Sequence, residues 1–419
     1  SADTYFLYND ISEIAWLLNL RGEDIEFNPV FLSYLLVGER DTHLFAHLEA
    51  LDEIARKELE SHHITLHPYE STADLLRSLD PKKVIIGYAE SMNQQAVEIF
   101  RQLGLYSVCT SPVTPVPALR AVKDECEIAG FRHAMQLDGV AMVRFRRVLD
   151  EIIEKGEIGQ ETELSIEQRL TAFRAEHPDF RGLSFGTIAG YGAHGAIVHY
   201  EADEESNAPL APRSFLLLDS GAHYVSGTTD ITRTIPLGPL TDEERKAYTL
   251  VLKGYIALAR ARFPERTQGL VLDFAARYAM WQEGMDFGHG TGHGVGSHLC
   301  VHEGPQQIRK NTNAASTTPF VAGMTITDEP GIYVSGKFGV RLENVLLTRE
   351  YAKTDFGRFL KFETLTLCPF DTTPIIVEML DENERNWLND YHQRVREELL
   401  PLLSDEKDRT WLERATLPL

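Results

Sequence analysis

No stretch of this sequence reaches the ~18 consecutive apolar residues a membrane-spanning helix needs, so a membrane anchor is not expected. Cysteine is scarce. Cys109, Cys126, Cys300 and Cys368 stand far apart and form no CxxC pair, which argues against a disulfide framework or a thiolate metal site. Reduced thiols in the cytoplasm are the expectation, each a small buried apolar residue. Basic charge is in deficit, with 41 Lys and Arg against 63 Asp and Glu and a formal charge of −22. Such a surface repels nucleic acid and anionic lipid within the ~8–10 Å that salt leaves unscreened, so neither is expected as a partner. The opening SADTYFLYND lacks an initiator Met, as a processed or shortened chain would. It also lacks a basic stretch followed by an apolar one, so no secretory signal is visible.

What is present suits a globular protein. At 419 residues and 43% hydrophobic content, two or three domains with sizeable cores are expected. KKVIIGY (82–88), the helical AESMNQQAVEIFRQLGL and then YSVCT give a βαβ rhythm, hence a compact α/β domain over 1–115. The proline-rich SPVTPVPALR (111–120) interrupts it and places the boundary, leaving 116–419 as the second domain. A helix is predicted over about 118–155, with Val122, Cys126, Ala129, Met135 and Leu137 as its buried stripe, and a second over 161–176. Thr241 and Glu244 form a capping box at the head of another helix, and 381–403 reads as the last long one. SFLLLDSGAHY, TTDITRTIPLG, GMTITDEPGIYV and GVRLENVLL read as strands bounded by glycine. An α+β second domain follows, an antiparallel sheet flanked by helices.

These strands carry acids at their ends. Asp219 closes FLLL, and Asp230 opens the next strand eleven positions later, so pairing of the two would bring both aspartates together. Glu329 precedes Pro330, and Glu343 lies inside an apolar strand where an unpaired carboxylate is costly. Each has a bland reading: Asp219 as a turn residue, Glu329 as a surface acid, and Glu343 as the partner of Arg341 on one strand face. All four together, in the half that also holds GHGTGHGVGSHLCVHEGP (288–305), favour a metal site instead. Four carboxylates and one imidazole suit two hard or borderline divalent ions, Mn²⁺, Co²⁺ or Zn²⁺, sharing a water. Other motifs fail. VHEGP lacks the second histidine of HExxH, and GYGAHG (190–195) matches GxGxxG but does not open a helix. P-loop and GxSxG sequences are absent.

The D-x10-D pair, GHGTGHGVG, TDEPG and VRLENV occur in the order that marks pita-bread metallopeptidases, and residues 118–419 resemble that family throughout. AWLLNLRGEDIEFNPVFLSY (15–34) and FGRFLKFETLTLCPFD (356–371) resemble its three-domain Xaa-Pro aminopeptidase subclass. By that resemblance 1–115 is the subclass's middle domain, and its first domain is missing from this chain. The resemblance implies Asp219, Asp230, His293, Glu329 and Glu343 as ligands of two divalent metal ions, with manganese the expected metal and cobalt or zinc the alternatives. It implies Asp230 and Glu343 as bridging carboxylates and Glu329 as the proton shuttle for a hydroxide held between the ions. His199 and His302 would face the substrate and its oxyanion, His289 the proline side, and Arg341 would organise the acids. His298 reads as packing, and His194 stands where the family more often carries Asn. The implied activity is hydrolysis of the amino-terminal Xaa-Pro bond of peptides by a cytoplasmic homodimer. A prolidase limited to Xaa-Pro dipeptides is the alternative, against which the WLLNLRG and FETLTLCPFD stretches argue. A methionine aminopeptidase usually lacks the large α/β domain, and a metal-free pita-bread binding protein would not need five intact ligand positions.

Overall fold

The computed structural model describes residues 3–104 and 114–419, with the backbone alone of 109–111. Tyr106, Ser107 and Val108 of the predicted YSVCT strand, Pro112 and Val113 of the proline-rich stretch, and the Cys109 side chain lie outside the described residues. The chain divides into two compact units, Ser1–Arg120 and Ala121–Leu419.

The first unit is built on strands β1 (Asp3–Tyr8), β2 (Ser33–Gly38), β3 (Thr42–Ala46), β4 (Ile64–Pro68), β5 (Val84–Ala89) and β6 (Cys109–Ser111). They form one mixed sheet in the order β4-β3-β2-β1-β5-β6. Alternation along β2 and β3 sends Leu35 and Leu44 to one face, and Leu36 and Phe45 to the other. The first face packs on Ile14 of α1 (Ile11–Leu18) and Leu59 of α2 (Glu53–Ser61). The second packs on Leu76 of α3 (Thr72–Ser78) and on Ile99 and Phe100 of α4 (Gln94–Gln102). A sheet covered on both faces is an α/β layer.

The short helix α5 (Val116–Ala121) is followed by α6 (Glu125–Glu154), which opens on a capping box between Asp124 and Glu127. The predicted buried stripe of α6 is met in part. Met135 is buried and Leu137 half-buried as expected, but Val122 precedes the helix and is exposed, Cys126 and Ala129 face solvent, and Ile128, Phe131, Met142, Phe145 and Leu149 complete the buried face. The cap fixes where the helix starts, and with it which face turns inward. Cys126 therefore departs from the expectation of buried cysteines, while Cys300 is half-buried and Cys368 buried. Helix α7 (Glu163–Ala175) follows.

The second unit then alternates strands and helices: β7 (Phe180–Leu183), β8 (Ile188–Tyr191), β9 (Phe215–Ser220), β10 (Ala222–Tyr224), β11 (Gly227–Thr228), β12 (Ile231–Pro236), α8 (Asp242–Ala259), β13 (Arg262–Pro264) and α9 (Gly269–Gln282). Next come β14 (Gly292–His293), β15 (Gln307–Ile308), β16 (Thr325–Asp328), β17 (Gly331–Val334), β18 (Phe338–Arg341), β19 (Asn344–Thr354), β20 (Gly357–Thr364), α10 (Glu382–Leu399) and α11 (Glu406–Ala415). Each described strand pair here is antiparallel. The sheets β12-β9-β8 and β13-β20-β19-β16 are tied by a bridge between Thr232 and Glu343. Helices flank them. Met142 and Phe145 of α6 and Ile166 and Leu170 of α7 pack with Leu216 and Leu218 of β9, while α8, α9 and α10 share a larger core with Ile326 and Leu346. Each fully buried leucine of this kind contributes roughly 1.5–3 kcal/mol. Helices α9 and α11 are additions to the elements expected from sequence.

Candidate active site

The antiparallel register of β9 and β12 sets Asp219 opposite Thr232, so Asp230, two residues before Thr232, lies at the same end of the ladder. Glu343 falls in the two-residue break between β18 and β19. Its amide donates to the Thr232 carbonyl (3.1 Å), and its carboxylate accepts from the Thr232 hydroxyl (2.7 Å). His293 comes from the ribbon of β14 and β15, and its amide donates to the Thr327 hydroxyl (3.0 Å). That hydroxyl in turn donates to Glu329 (3.1 Å), just past the end of β16. Gly292 permits this arrangement, because a Cβ there would lie 1.8 Å from the Thr327 carbonyl oxygen.

All nine residues implied by the sequence line one cavity of about 480 Å³: Asp219, Asp230, His293, Glu329, Glu343, His199, His289, His302 and Arg341. Asp230, His293 and Glu343 each offer a ligand atom, and these lie within 4.8 Å of one another. His293 Nε2 is 3.4 Å from Asp230 and 3.5 Å from Glu329. Its Nδ1 faces the Gly294 carbonyl (2.9 Å), so that nitrogen carries the proton and Nε2 is left for a ligand. Arg341 does not pair with Glu343. Its guanidinium donates to Asp219 Oδ2 at 2.6 and 3.1 Å. The bland reading fails because β18 ends at Arg341, so the alternation of one strand face does not continue to Glu343.

The electrostatics are those of acids crowded with too little counter-charge, four carboxylates against Arg341 and the His293 ring. Burial, and then the negative charge of Asp230, raises Glu343 well above the usual carboxylate range. Glu329 is pushed up to about 7, chiefly by burial, and Asp219 is raised for the same reason although Arg341 opposes it. Burial lowers His293, but Asp230 and Glu329 outweigh it and bring the ring up to about 9. Asp219 Oδ1 is buried and has no hydrogen-bond partner. An orphaned carboxylate oxygen among oxygen donors, with one imidazole Nε2 whose proton a cation would displace, is a donor set that fits divalent cations. Asp219, Asp230, His293, Glu329 and Glu343 are the residues able to hold them.

The other histidines stand around this cluster. The His302 ring packs edge-on to His293 (4.2 Å between centroids), and burial lowers its pKa to about 4. His289 is lowered to about 3, first by burial and then by Arg341. Its Nδ1 faces the Gly290 carbonyl (2.7 Å), so its Nε2 accepts from the Tyr333 hydroxyl (2.7 Å), which itself accepts from Arg341 (2.7 Å). Tyr333 was not singled out from sequence; its only signal is its place in the strand after Glu329-Pro330. Phe185, Ile188 and Val198 give the cavity an apolar wall, and Glu201, Gln307 and Arg309 also line it; none of these had a sequence signal. His298 takes a positive φ of 47°, sits 5.9 Å from the His223 ring and is not among the lining residues.

Comparison with known proteins gives matches over nearly the whole chain. Residues 129–350 match the profile of metallopeptidase family M24, residues 358–419 that of the C-terminal region of that peptidase family, and residues 1–127 that of the creatinase/prolidase N-terminal domain. The chain is 42% identical to a probable Xaa-Pro aminopeptidase P of Laccaria bicolor and 41% identical to Xaa-Pro aminopeptidase 1 of Dictyostelium discoideum. Each alignment covers 98% of this chain but 64% and 65% of those relatives, so the chain spans less than two-thirds of their length. The crystal structure of an X-prolyl aminopeptidase from Caenorhabditis elegans, described as a cytosolic enzyme with a di-nuclear active site, superposes with a TM-score of 0.90. It is 35% identical, over 99% of this chain and 68% of that one.

Proposed function

The chain belongs to metallopeptidase family M24, and on that footing we propose that it hydrolyses the amino-terminal Xaa-Pro bond of peptides with two divalent metal ions held in this cavity. The observation that carries the reading is the meeting of Asp219, Asp230, His293, Glu329 and Glu343, from five separate segments, around one opening where four carboxylates outnumber Arg341 and the His293 ring. When bound, the ions would polarise the scissile carbonyl and make water acidic enough to react at neutral pH. Asp230 and Glu343, whose ligand atoms lie within 4.8 Å of one another and of His293, would be shared acids of the site, and Mn²⁺ would suit the mostly oxygen donor set, as Co²⁺ and Zn²⁺ also would.

The protein's own groups divide the remaining work. Glu329 takes a proton from the attacking water and returns it to the proline nitrogen as the bond breaks. His199 and His302 donate to the oxygen that gains charge, His302 being neutral near pH 7 and so able to act as an N–H donor. His289, held by Tyr333, faces the proline side, and Arg341 keeps Asp219 in place. Residues 1–115 are assigned as the middle domain of the three-domain class and 116–419 as the catalytic domain. A cytoplasmic location is supported by the unbridged thiols of Cys126 and Cys368 and by the cytosolic relative.

A homodimer through the catalytic domain is supported by the outer face of α9. Val271, Phe274, Tyr278 and Trp281 are 64%, 52%, 51% and 41% exposed at helical spacing, an apolar stripe of the kind that marks an interface. Sedimentation of the intact chain as a single species of one-chain mass would remove that assignment. The activity itself is tested by loading the chain with Mn²⁺ and comparing Xaa-Pro dipeptides with Xaa-Pro-Yaa tripeptides. Cleavage of the tripeptide is expected. Cleavage of dipeptides alone would make the protein a prolidase, and cleavage of neither would remove the reading.

A further inference from the structure

The GYGAHG motif fails as a dinucleotide fingerprint, yet its glycines are packed for a reason. A Cβ on Gly339 of β18 would lie 1.7 Å from the Gly195 carbonyl oxygen, so the turn after β8 sits directly on the strand that ends in Arg341. From this turn the chain runs to residue 208 and presents Val198, His199 and Glu201 to the cavity. The His199 side chain is exposed to the cavity and, among the described residues, has no hydrogen-bond partner of its own. Its position is therefore set by the backbone that carries it.

That backbone is gathered onto a single carboxylate. Glu163, the first residue of α7, is 0% exposed and accepts from the amides of Tyr191 (2.7 Å) and Ala208 (2.9 Å) at the two ends of the segment. It also accepts from the Tyr200 hydroxyl (2.8 Å) and from His194 Nδ1 (2.9 and 3.1 Å), the residues that bracket His199. The His194 and Tyr200 rings stack at 4.5 Å, which holds the two donors side by side. No Lys or Arg is needed: four donors and the positive end of α7 compensate the buried charge. On the cavity side, Arg341 donates to the Val198 carbonyl (3.4 Å), so the segment is gripped at both faces.

We propose that Glu163 is a positioning residue for the reaction, a buried anchor that fixes the His199 segment so that His199 meets the reacting carbonyl. The assignment rests on the peptidase reading above. A donor held at the developing oxyanion is worth about 10²–10³ in kcat, and misplacing such a group by ~1 Å costs on the order of 10²-fold. A cavity wall that merely filled space would not depend on which atoms of residue 163 accept.

The test compares the full chain with Glu163→Gln, Tyr200→Phe, His194→Ala and His194→Asn. Gln turns an N–H toward donors that need an acceptor. Asn puts its amide nitrogen where His194 carries Nδ1. Three readouts are taken: amide hydrogen exchange of 191–208 without metal, Mn²⁺ affinity, and kcat and KM on an Xaa-Pro-Yaa tripeptide. Glu163→Gln is expected to lose exchange protection in 191–208 and about 10²-fold in kcat, with Mn²⁺ affinity unchanged. Tyr200→Phe and His194→Ala should shift both readouts the same way by less, and His194→Asn should restore them. Should Glu163→Gln fail to fold, the Tyr200 and His194 variants decide alone. Unchanged protection with unchanged kcat overturns the proposal, as does a loss of kcat that follows a loss of Mn²⁺ affinity. If the unsubstituted chain cleaves no Xaa-Pro peptide, the peptidase reading fails, and the exchange data still judge the anchor.

Discussion

Asp138 and Asp230 are buried to nearly the same depth in the same unit, 3% and 4% exposed, and are treated in opposite ways. Asp138, on α6, accepts from Arg174 on α7 at 2.8 and 3.1 Å and from the Tyr224 hydroxyl at 3.0 Å. It joins helices to strand β10 and lacks nothing. Asp230 faces Glu343, Glu329 and Asp219, with a histidine imidazole at 3.4 Å as its one described ion-pair partner. A buried acid whose charge is answered within the chain is a structural joint, and one whose charge is not answered waits for a cation. Arg341 sharpens the contrast, since it answers one oxygen of Asp219 and leaves the other bare.

If that comparison is sound, the two aspartates fail differently when changed. Asp230→Asn should lower tripeptide turnover by at least about 10⁴-fold, on the order of 5 kcal/mol of barrier, while the thermal midpoint of the metal-free chain holds or rises. Near-normal turnover of that variant in the presence of chelator would break the comparison from the catalytic side. Arg174→Met leaves Asp138 buried without its cation and should cost about 3–5 kcal/mol of stability in denaturant titration. A loss below about 1 kcal/mol would show that the joint is no joint. The smallest effect belongs at the surface. Arg132 and Glu363 form a two-pronged pair at 2.9 and 3.0 Å that is partly open to water, and Glu363→Gln should cost at most about 1 kcal/mol, less at high salt.

The same contrast explains what could be read in advance. The pairing of the two aspartates is near-local, because the apolar runs of β9 and β12 are close in sequence and pair antiparallel across the short β10–β11 excursion between them. The capping box of α8 is equally local, with Glu244 accepting from the Thr241 amide at 2.7 Å. Arg341 defeated its local reading because its partner, Asp219, lies 122 positions away and β18 ends at Arg341 itself, two residues short of Glu343. Helix α9 was hidden by its own composition. Phe274, Tyr278 and Trp281 face outward while Leu272, Ala276 and Met280 face inward, so the 3.6-residue period is blurred. Glu163 gave no signal either, since the segment it holds begins 28 residues later and consists of donors spread from 191 to 208. Contacts between sequence neighbours were legible from the residues themselves; the convergence of the nine cavity residues was legible through the family resemblance, and the supports supplied by Tyr333 and Glu163 were not.

Metal content is the most direct test of whether these acids await cations. The purified chain, stripped with chelator and dialysed against Mn²⁺, should retain two ions per chain by elemental analysis, and Asp230→Asn should retain fewer. A correctly folded chain that holds none at millimolar Mn²⁺, Co²⁺ or Zn²⁺ would contradict the account.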